Sequence, residues 1–497
     1  MPEIELKFTV DPHRAASVEA ALRRAGSRLT RIESRYFDTA DGRLADARLS
    51  LRLRRADGTW EQTLKAAGPL SAVREEETVL RAGDWGPDGP PIDAALHHGT
   101  AAGKALAKAL GTTGEPLQQA YASFVRRRTI EIDCEGSRIE VAFDQGEIRS
   151  GVRSVPVCEV EYELKSGAPA ALAVLARTGV VEHGMWLSTL AKGVRGDRLF
   201  RGEPQHLARK AIRPELTSSL TGPGLLREML SACLEQVLAN ASEIADDRID
   251  DDLVHQLRVG LRRLRTTMRE LGTLAPALGR QWEMPVVGVF QLLGAYRDRH
   301  AVAAKLQARL AEAGSPAPVL QTRDPATPAS PAAFVRSTAF QTALLELIAF
   351  TLDTDPATDA SFGPRAGRRL IEGRLHRLHL RLHRGAKDFA QLAPAGQHQV
   401  RKRLKRLRYL AELAGSLYPD ARVKRYLARL APAQDELGDY MDLVVGSQLA
   451  ADAERDGVPA AWFNVGWLRA ETPNSVERCR KALAHAARAK PFWTQGR

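Results

Sequence analysis

The sequence predicts an α+β protein in two parts: a small antiparallel β tunnel with a charged interior, then an all-α region built from a duplicated unit. Three observations carry this reading. Short segments with charge on one face and apolar residues on the other recur through the first two hundred residues. Helical periodicity dominates the later part, and two sequence patterns return there at nearly one offset. Charge is divided as well. Residues 1–200 hold 28 Lys and Arg against 28 Asp and Glu, and residues 201–497 hold 44 against 32, so the whole net charge of +12 lies in the second part. That predicts a polyanion-facing C-terminal domain.

The bulk properties narrow the class. A chain of 497 residues, 44% hydrophobic and 27% charged, can bury two or three cores and has a globular composition. It is charged from Glu3 onward, without an apolar leader, and no apolar run approaches the roughly 20 residues of a membrane span. Cys134, Cys158, Cys233 and Cys479 are scattered and show no CxxC spacing. They read as reduced thiols, so the expectation is a cytoplasmic protein without membrane contact.

The first strand is Glu3-Ile4-Glu5-Leu6-Lys7. Alternation places Glu3, Glu5 and Lys7 on one face and Ile4 and Leu6 on the other. Ser50–Arg54 repeats the pattern with Arg52 and Arg54, and the turn at Asp57-Gly58 leads into a strand carrying Thr63 and Lys65. Arg74, Glu76 and Thr78 share a face in the next run. Arg126 and Arg128 alternate ahead of Ile130 and Ile132, Ile139–Phe143 closes at Asp144-Gln145-Gly146, and Cys158–Lys165 lines up Glu159, Glu161 and Glu163. Helical patches intervene at 13–26, 99–111 and 169–179. One such strand is ordinarily a solvated face. Six or more require a polar interior, with the apolar faces packed outward against helices.

That interior has a chemical sense. Lys7, Arg52, Arg54, Lys65, Arg126 and Lys192 suit phosphate oxygens. Glu3, Glu5, Glu76, Asp144, Glu159 and Glu161 are hard oxygen ligands suited to Mg²⁺ or Mn²⁺. There is no Gly-rich phosphate loop, so side chains rather than backbone amides must hold the anion.

These residues resemble the CYTH, or triphosphate tunnel metalloenzyme, superfamily. Glu3-x-Glu5-x-Lys7 looks like its ExExK signature. The similarity continues through Tyr36-Phe37-Asp38-Thr39, Leu51–Arg54, Thr63-x-Lys65, Asp144-Gln145-Gly146, Glu159-x-Glu161 and Lys192-x-x-Arg195-Gly196, and covers residues 1–202. The resemblance implies an eight-stranded antiparallel tunnel that binds triphosphate with a divalent metal. It implies one ion on Glu3, Glu5 or Glu161 and a second on Glu159 or Asp144, with Glu76 as ligand or organiser. Arg128 and Arg195 complete the expected triphosphate contacts.

The stretch 202–224 carries Pro204, Pro214 and Pro223 and little periodicity, and residues 203–217 are read as a linker. From 218 to 497 the chain is read as helical, split by the Pro-rich loop 314–331. His255-Gln-Leu-Arg258-x₃-Arg262-x₂-Arg265 recurs as His398-Gln-Val-Arg401-x₃-Lys405-x₂-Arg408, an offset of 143. Leu293-Gly294-Ala-Tyr296-Arg-Asp298 recurs as Leu437-Gly438-Asp-Tyr440-Met-Asp442, an offset of 144. The spacing places one His and three cations on one helix stripe in each copy, beside an apolar stripe. Like charges at such spacing repel, so nearby acids or an external polyanion must compensate. Asp298 and Asp442 are candidate acids. His376, His379 and His383 form another stripe, but Arg374, Arg377, Arg381 and Arg384 around it favour polyanion over metal.

This region resembles the CHAD family, the conserved histidine α-helical domain. That implies two four-helix bundles and a basic groove for inorganic polyphosphate, with His255 and His398 as phosphate contacts. The order of the two parts is similar to that of bacterial inorganic triphosphatases. The expectation is therefore a metal-dependent triphosphatase with triphosphate and long-chain polyphosphate as partners, and an association with polyphosphate granules. The alternatives are a polyphosphate-binding protein with a weakly active or regulatory tunnel, or a tunnel acting on thiamine triphosphate, a nucleoside triphosphate, or ATP cyclised to cyclic AMP. Few aromatic residues interleave with the cations, which argues against single-stranded nucleic acid.

Overall fold

The computed structural model describes residues 4–67, 74–81, 83, 85–86, 89–111, 116–202, 208–276, 278–297, 302–316, 330–353, 362–458 and 461–494, with only the backbone of 74–77. Glu3, Asp298 and most of the loop 314–331 lie outside the described residues, as does the side chain of Glu76. Two compact units emerge. The first takes in residues 1–207, 241–248 and 336–353, and the second takes in the remainder.

The first unit is built on one antiparallel sheet. Its strands are β1 (Glu5–Thr9), β2 (Arg28–Asp38), β3 (Leu49–Ala56), β4 (Thr59–Ala67), β5 (Arg74–Arg81), β6 (Gln118–Cys134), β7 (Ser137–Ser150), β8 (Arg153–Ser166) and β9 (Trp186–Leu187). They pair in the order β5-β4-β3-β2-β6-β7-β8-β1-β9. Among the described residues the sheet has eight longer strands, and the two-residue β9 adds to β1. The apolar faces turn outward, as the alternation predicted. Leu51 and Leu64, each at most 1% exposed, pack with Leu44, Ala102 and Leu106 of the flanking helices. Helix Ala170–His183 covers β1 and β8.

Register assigns the other face. Lys7 stands opposite Glu161, Asp144 opposite both Arg127 and Glu159, Arg52 opposite Tyr36 and Thr63, and Lys65 opposite Glu76. Paired residues share a face, so these charges line one side. That side is concave. β3 and β8 are four strands apart, about 19 Å across a flat sheet, yet Arg54 of β3 interacts electrostatically with Glu161 of β8.

One part of this lining departs from expectation. It is apolar rather than charged, with Ile32, Tyr36, Tyr121, Val125, Ile148 and Val157 clustered against Leu199 and Phe200. Helix Lys192–Arg201 supplies the last two and covers that part. The rings of Tyr36 and Tyr121 stack there at 4.6 Å. A Cβ at Gly196 would lie 2.1 Å from the Tyr121 ring, so only glycine admits the helix this closely.

The second unit is helical. Asp250 caps helix Asp251–Leu271 by accepting from the Leu253 amide at 2.7 Å, and Asp251 and Asp252 complement its N-terminus. Helix Pro394–Leu413 starts with proline at its first position. The two helices pack together, joined by helices Glu283–Arg297 and Pro364–Lys387. Their apolar stripes, Val254, Leu257, Leu261 and Leu264 with Val400, Leu404 and Leu407, are at most 1% exposed. Among the described residues, no helix is long and apolar enough to cross a membrane.

Candidate functional site

The chemistry of the first unit centres on Asp144, Glu159 and Glu161, whose nearest oxygens all lie within 4.8 Å of one another. Asp144 and Glu159 are at most 3% exposed. Three carboxylates this close and this buried need compensation. Two cations provide most of it. Arg127 reaches Asp144 through Nε at 2.7 Å and Nη2 at 2.6 Å, and Glu161 at 2.6 Å. Lys192 Nζ lies 2.7 Å from Asp144, 3.0 Å from Glu161, and against Glu159. Among the described residues, Glu159 Oε1 has this ion pair and no hydrogen bond. Arg195 adds a 3.4 Å contact to Glu159.

The charge states follow. Burial pushes Asp144 and Glu161 towards the neutral acid, but Lys192 and Arg127 overcome it and hold both below the ordinary carboxylate range. Burial likewise works against the Lys192 ammonium, and Asp144, Glu159 and Glu161 hold it charged above the ordinary lysine value. The set of hard oxygen donors fits a divalent cation, and Glu159 Oε1 is a ligand atom without a hydrogen bond among the described residues.

Beyond this cluster, Arg52 and Arg54 crowd each other on β3. Arg54 is pushed down to about 10 by burial and by Arg52 and Arg127, with Tyr36 and Glu161 opposing. Its Nε is buried with no hydrogen-bond partner among the described residues. Burial works to raise the Tyr36 phenol, but Arg52, Arg54 and Lys192 pull it below its ordinary value. Lys7 is 8% exposed and interacts electrostatically with Glu161. Lys65 shares the face from β4. Glu5, two residues before Lys7, shares that face opposite Glu163 and stands outside the three-carboxylate group.

Two expected residues point elsewhere. Arg126 and Arg128 lie on the outer face, where both reach Glu19 of helix Ala15–Arg24, at 3.3 and 3.0 Å. Arg127 between them takes the interior place. The sequence held the cue, since Arg126 and Arg128 alternate in phase with Ile130 and Ile132, the apolar face. The Asp38-Thr39 pair also serves the scaffold. Asp38 accepts from the amides of Thr39, Leu44 and Ala45 and fixes the turn into helix Arg43–Asp46.

In the second unit the two stripes meet. Arg258, Arg262 and Arg265 surround the Phe290 ring at 5.1, 5.3 and 5.5 Å. Burial, then Arg262 and Arg401, drive Lys405 well below the ordinary lysine value. Arg401 falls to about 10 through burial and Arg262. His255 falls to about 4 through burial, Arg297, Lys405, Arg262 and Arg258, and His398 falls through burial, Lys402, Arg401 and Lys405. Arg297 was not anticipated. It lies inside the second repeat pattern, where its counterpart is Met441, so the duplication gave no cue. Arg408 faces Glu412 at 2.6 Å, and Asp442 binds Lys305 at 2.9 Å. His379 is buried, with Nδ1 3.0 Å from the Tyr426 hydroxyl, while His376, His383, Arg377, Arg381 and Arg384 are exposed.

Comparison with known proteins agrees with this division. Residues 1–186 match the CYTH domain model and residues 228–451 the CHAD domain model. An inorganic triphosphatase of Haemophilus influenzae is 27% identical over 214 residues, which is 39% of this chain and 54% of that protein. The chain thus spans about half the length of that relative. The CHAD domain structure from the plant Ricinus communis is 25% identical, covering 58% of this chain and all of that one, with a TM-score of 0.48. A putative adenylyl cyclase from Hippeastrum, described as having a dominant triphosphatase activity, is 17% identical, covering 41% of this chain and 98% of that one, with a TM-score of 0.29.

Proposed function

From a chain that carries a CYTH domain followed by a CHAD domain, we infer a divalent-metal-dependent inorganic triphosphatase that also binds polyphosphate. The observation that supports it most is the three-carboxylate cluster set beside a row of cations on one concave face. Asp144, Glu159 and Glu161 hold the metal, with Glu3, Glu5 and Glu76 as further acids. When bound, the metal offsets phosphate charge and lowers the pKa of a water. The chain's own residues do the rest. Lys7, Arg52, Arg54, Lys65 and Arg127 grip the triphosphate oxygens, and Arg54, whose Nε has no hydrogen-bond partner among the described residues, has a donor to give. Lys192 and Arg195 turn from the carboxylates to the phosphates as the site fills.

In the helical part, Arg258, Arg262, Arg297, Arg401 and Lys405, with His255 and His398, hold inorganic polyphosphate. Their mutual repulsion, relieved by a polyanion, supports that reading. The setting is the cytoplasm, at polyphosphate granules. The test is phosphate release from tripolyphosphate, ATP and thiamine triphosphate with Mg²⁺ and with Mn²⁺. At least tenfold higher kcat/KM on tripolyphosphate is expected, and equal or faster release from ATP overturns the inorganic assignment. Arg258, Arg262, Arg401 and Lys405 reversed to Glu should lose polyphosphate binding and keep tripolyphosphate turnover.

A further inference from the structure

We propose that Ser242, Glu243 and Gln341 are positioning residues for the triphosphate site, bracing the segment 186–201 so that Lys192 and Arg195 reach the carboxylates. The inference rests on the triphosphatase reading and adds residues that the first two hundred positions do not contain.

The segment needs a brace. Lys192 is the first residue of helix Lys192–Arg201, and Ala191 before it makes no side-chain cap. Alanine is among the poorest capping residues, and a cation at a helix N-terminus opposes the helix dipole. Local sequence therefore does little to fix where this helix begins. Its direction is set from two sides. On one side β9 pairs with β1, and the Ser188 amide donates to the Lys7 carbonyl at 2.9 Å.

On the other side stand residues from much later in the chain, gathered into the same compact unit. The Leu187 amide donates to Gln341 Oε1 at 2.8 Å, and Gln341 is 1% exposed. The Thr189 amide donates to Ser242 Oγ at 2.9 Å. Two turns into the helix, Arg198 grips the buried Glu243 with both guanidinium nitrogens, one at 3.0 Å. These contacts are themselves anchored. Arg336 donates to the Ala245 carbonyl at 2.7 Å and lies over the Trp186 ring at 4.6 Å. Helix Thr338–Leu352 packs along helix Ala170–His183. Buried polar groups this far apart in sequence are satisfied by one another, so losing Ser242 or Gln341 frees a backbone amide at the root of the Lys192 helix, and losing the Glu243 charge loosens Arg198 within it.

The experiment uses the full chain with Ser242→Ala and Gln341→Leu, singly and together, and Glu243→Gln as a third variant. Amide hydrogen exchange should be at least tenfold faster in peptides spanning 186–201. kcat/KM for tripolyphosphate should fall at least fivefold. Both are then repeated in a Lys192→Gln background, where a residue acting through Lys192 loses most of its kinetic effect. Unchanged exchange over 186–201 overturns the brace. A kinetic loss that persists undiminished beside Lys192→Gln overturns the positioning role. If the wild-type protein releases no phosphate from tripolyphosphate, the proposed function fails, and the exchange measurement still decides the brace.

Discussion

Replacing Lys192 by Gln tests the electrostatic balance on which the acidic cluster stands. Asp144, Glu159 and Glu161 are compensated by Lys192, Arg127 and Arg195. Lys192 touches all three acids, and its side chain is 13% exposed. Removing one partner of a buried pair costs about 3–5 kcal/mol because a charge is left behind. Here Arg127 still covers Asp144 and Glu161, and Arg195 still reaches Glu159, so the lower end, about 3 kcal/mol, applies. For a unit of this size that is a fall of about 6–12 °C in its melting transition. The assay is a thermal melt in EDTA and again with increasing Mg²⁺ or Mn²⁺. A divalent cation supplies the missing charge, so it should stabilise Lys192→Gln more than the wild type and recover much of the loss. A variant melting within 2 °C of the wild type in EDTA refutes the compensation. A metal response equal to that of the wild type refutes the assignment of these three carboxylates as the metal's holders.

Three further outcomes follow from the same geometry. Arg127→Ala should lower kcat/KM for tripolyphosphate by about 10–100-fold, the worth of a charge-assisted contact, while Arg126→Ala should change it less than threefold; steady-state kinetics reverses the assignment if Arg126 proves the costlier loss. Gly196→Ala should destabilise the first unit, because its Cβ would lie 2.1 Å from the Tyr121 ring, and a melting transition at the wild-type temperature shows that the helix shifts without cost. Polyphosphate binding should take up protons. The His255 imidazole sits at about 4 in the free protein, through burial and Arg297, Lys405, Arg262 and Arg258, and a bound polyanion raises it towards the ordinary ~6.5. Affinity should therefore rise as pH falls between those values. Calorimetry in buffers of different ionisation enthalpy checks this, and no proton uptake at intermediate pH removes His255 from the groove.

Much of this arrangement was readable from periodicity, and the failures have physical causes. The two-residue alternation named Lys7, Arg52, Arg54, Asp144, Glu159 and Glu161, and register places all six on one face. In β6 three consecutive arginines supply a charge to either face, so composition alone cannot choose the phase. Only the isoleucines downstream carry it, and Arg127 is the one that turns inward. The apolar part of the lining was hidden for a different reason. Its residues, among them Ile32, Val125 and Val157, cover a helix end, not an ordinary core. The contributions of Ser242, Glu243 and Gln341 left no local mark, because nothing near them in sequence speaks of a partner at 186–201.

The two basic sites solve the same electrostatic problem in opposite ways, and this bears on how each meets phosphate. In the sheet, acids and cations neutralise one another. An incoming triphosphate must separate them, and only a second cation makes that separation favourable by taking over the carboxylates. Metal and triphosphate therefore have reason to bind together there, each removing the other's competitor. In the helices, burial and mutual repulsion among Arg262, Arg401 and Lys405 lower Arg401 and Lys405, with Asp442 opposing at Arg401. A polyanion relieves that repulsion directly, with no metal needed. Divalent cations should thus strengthen tripolyphosphate binding by the first unit. They should weaken polyphosphate binding by the second, because they shield the polyanion without gaining a ligand in the protein. Titrating each ligand with and without Mg²⁺ separates the two cases, and a Mg²⁺ effect of the same sign on both contradicts this contrast.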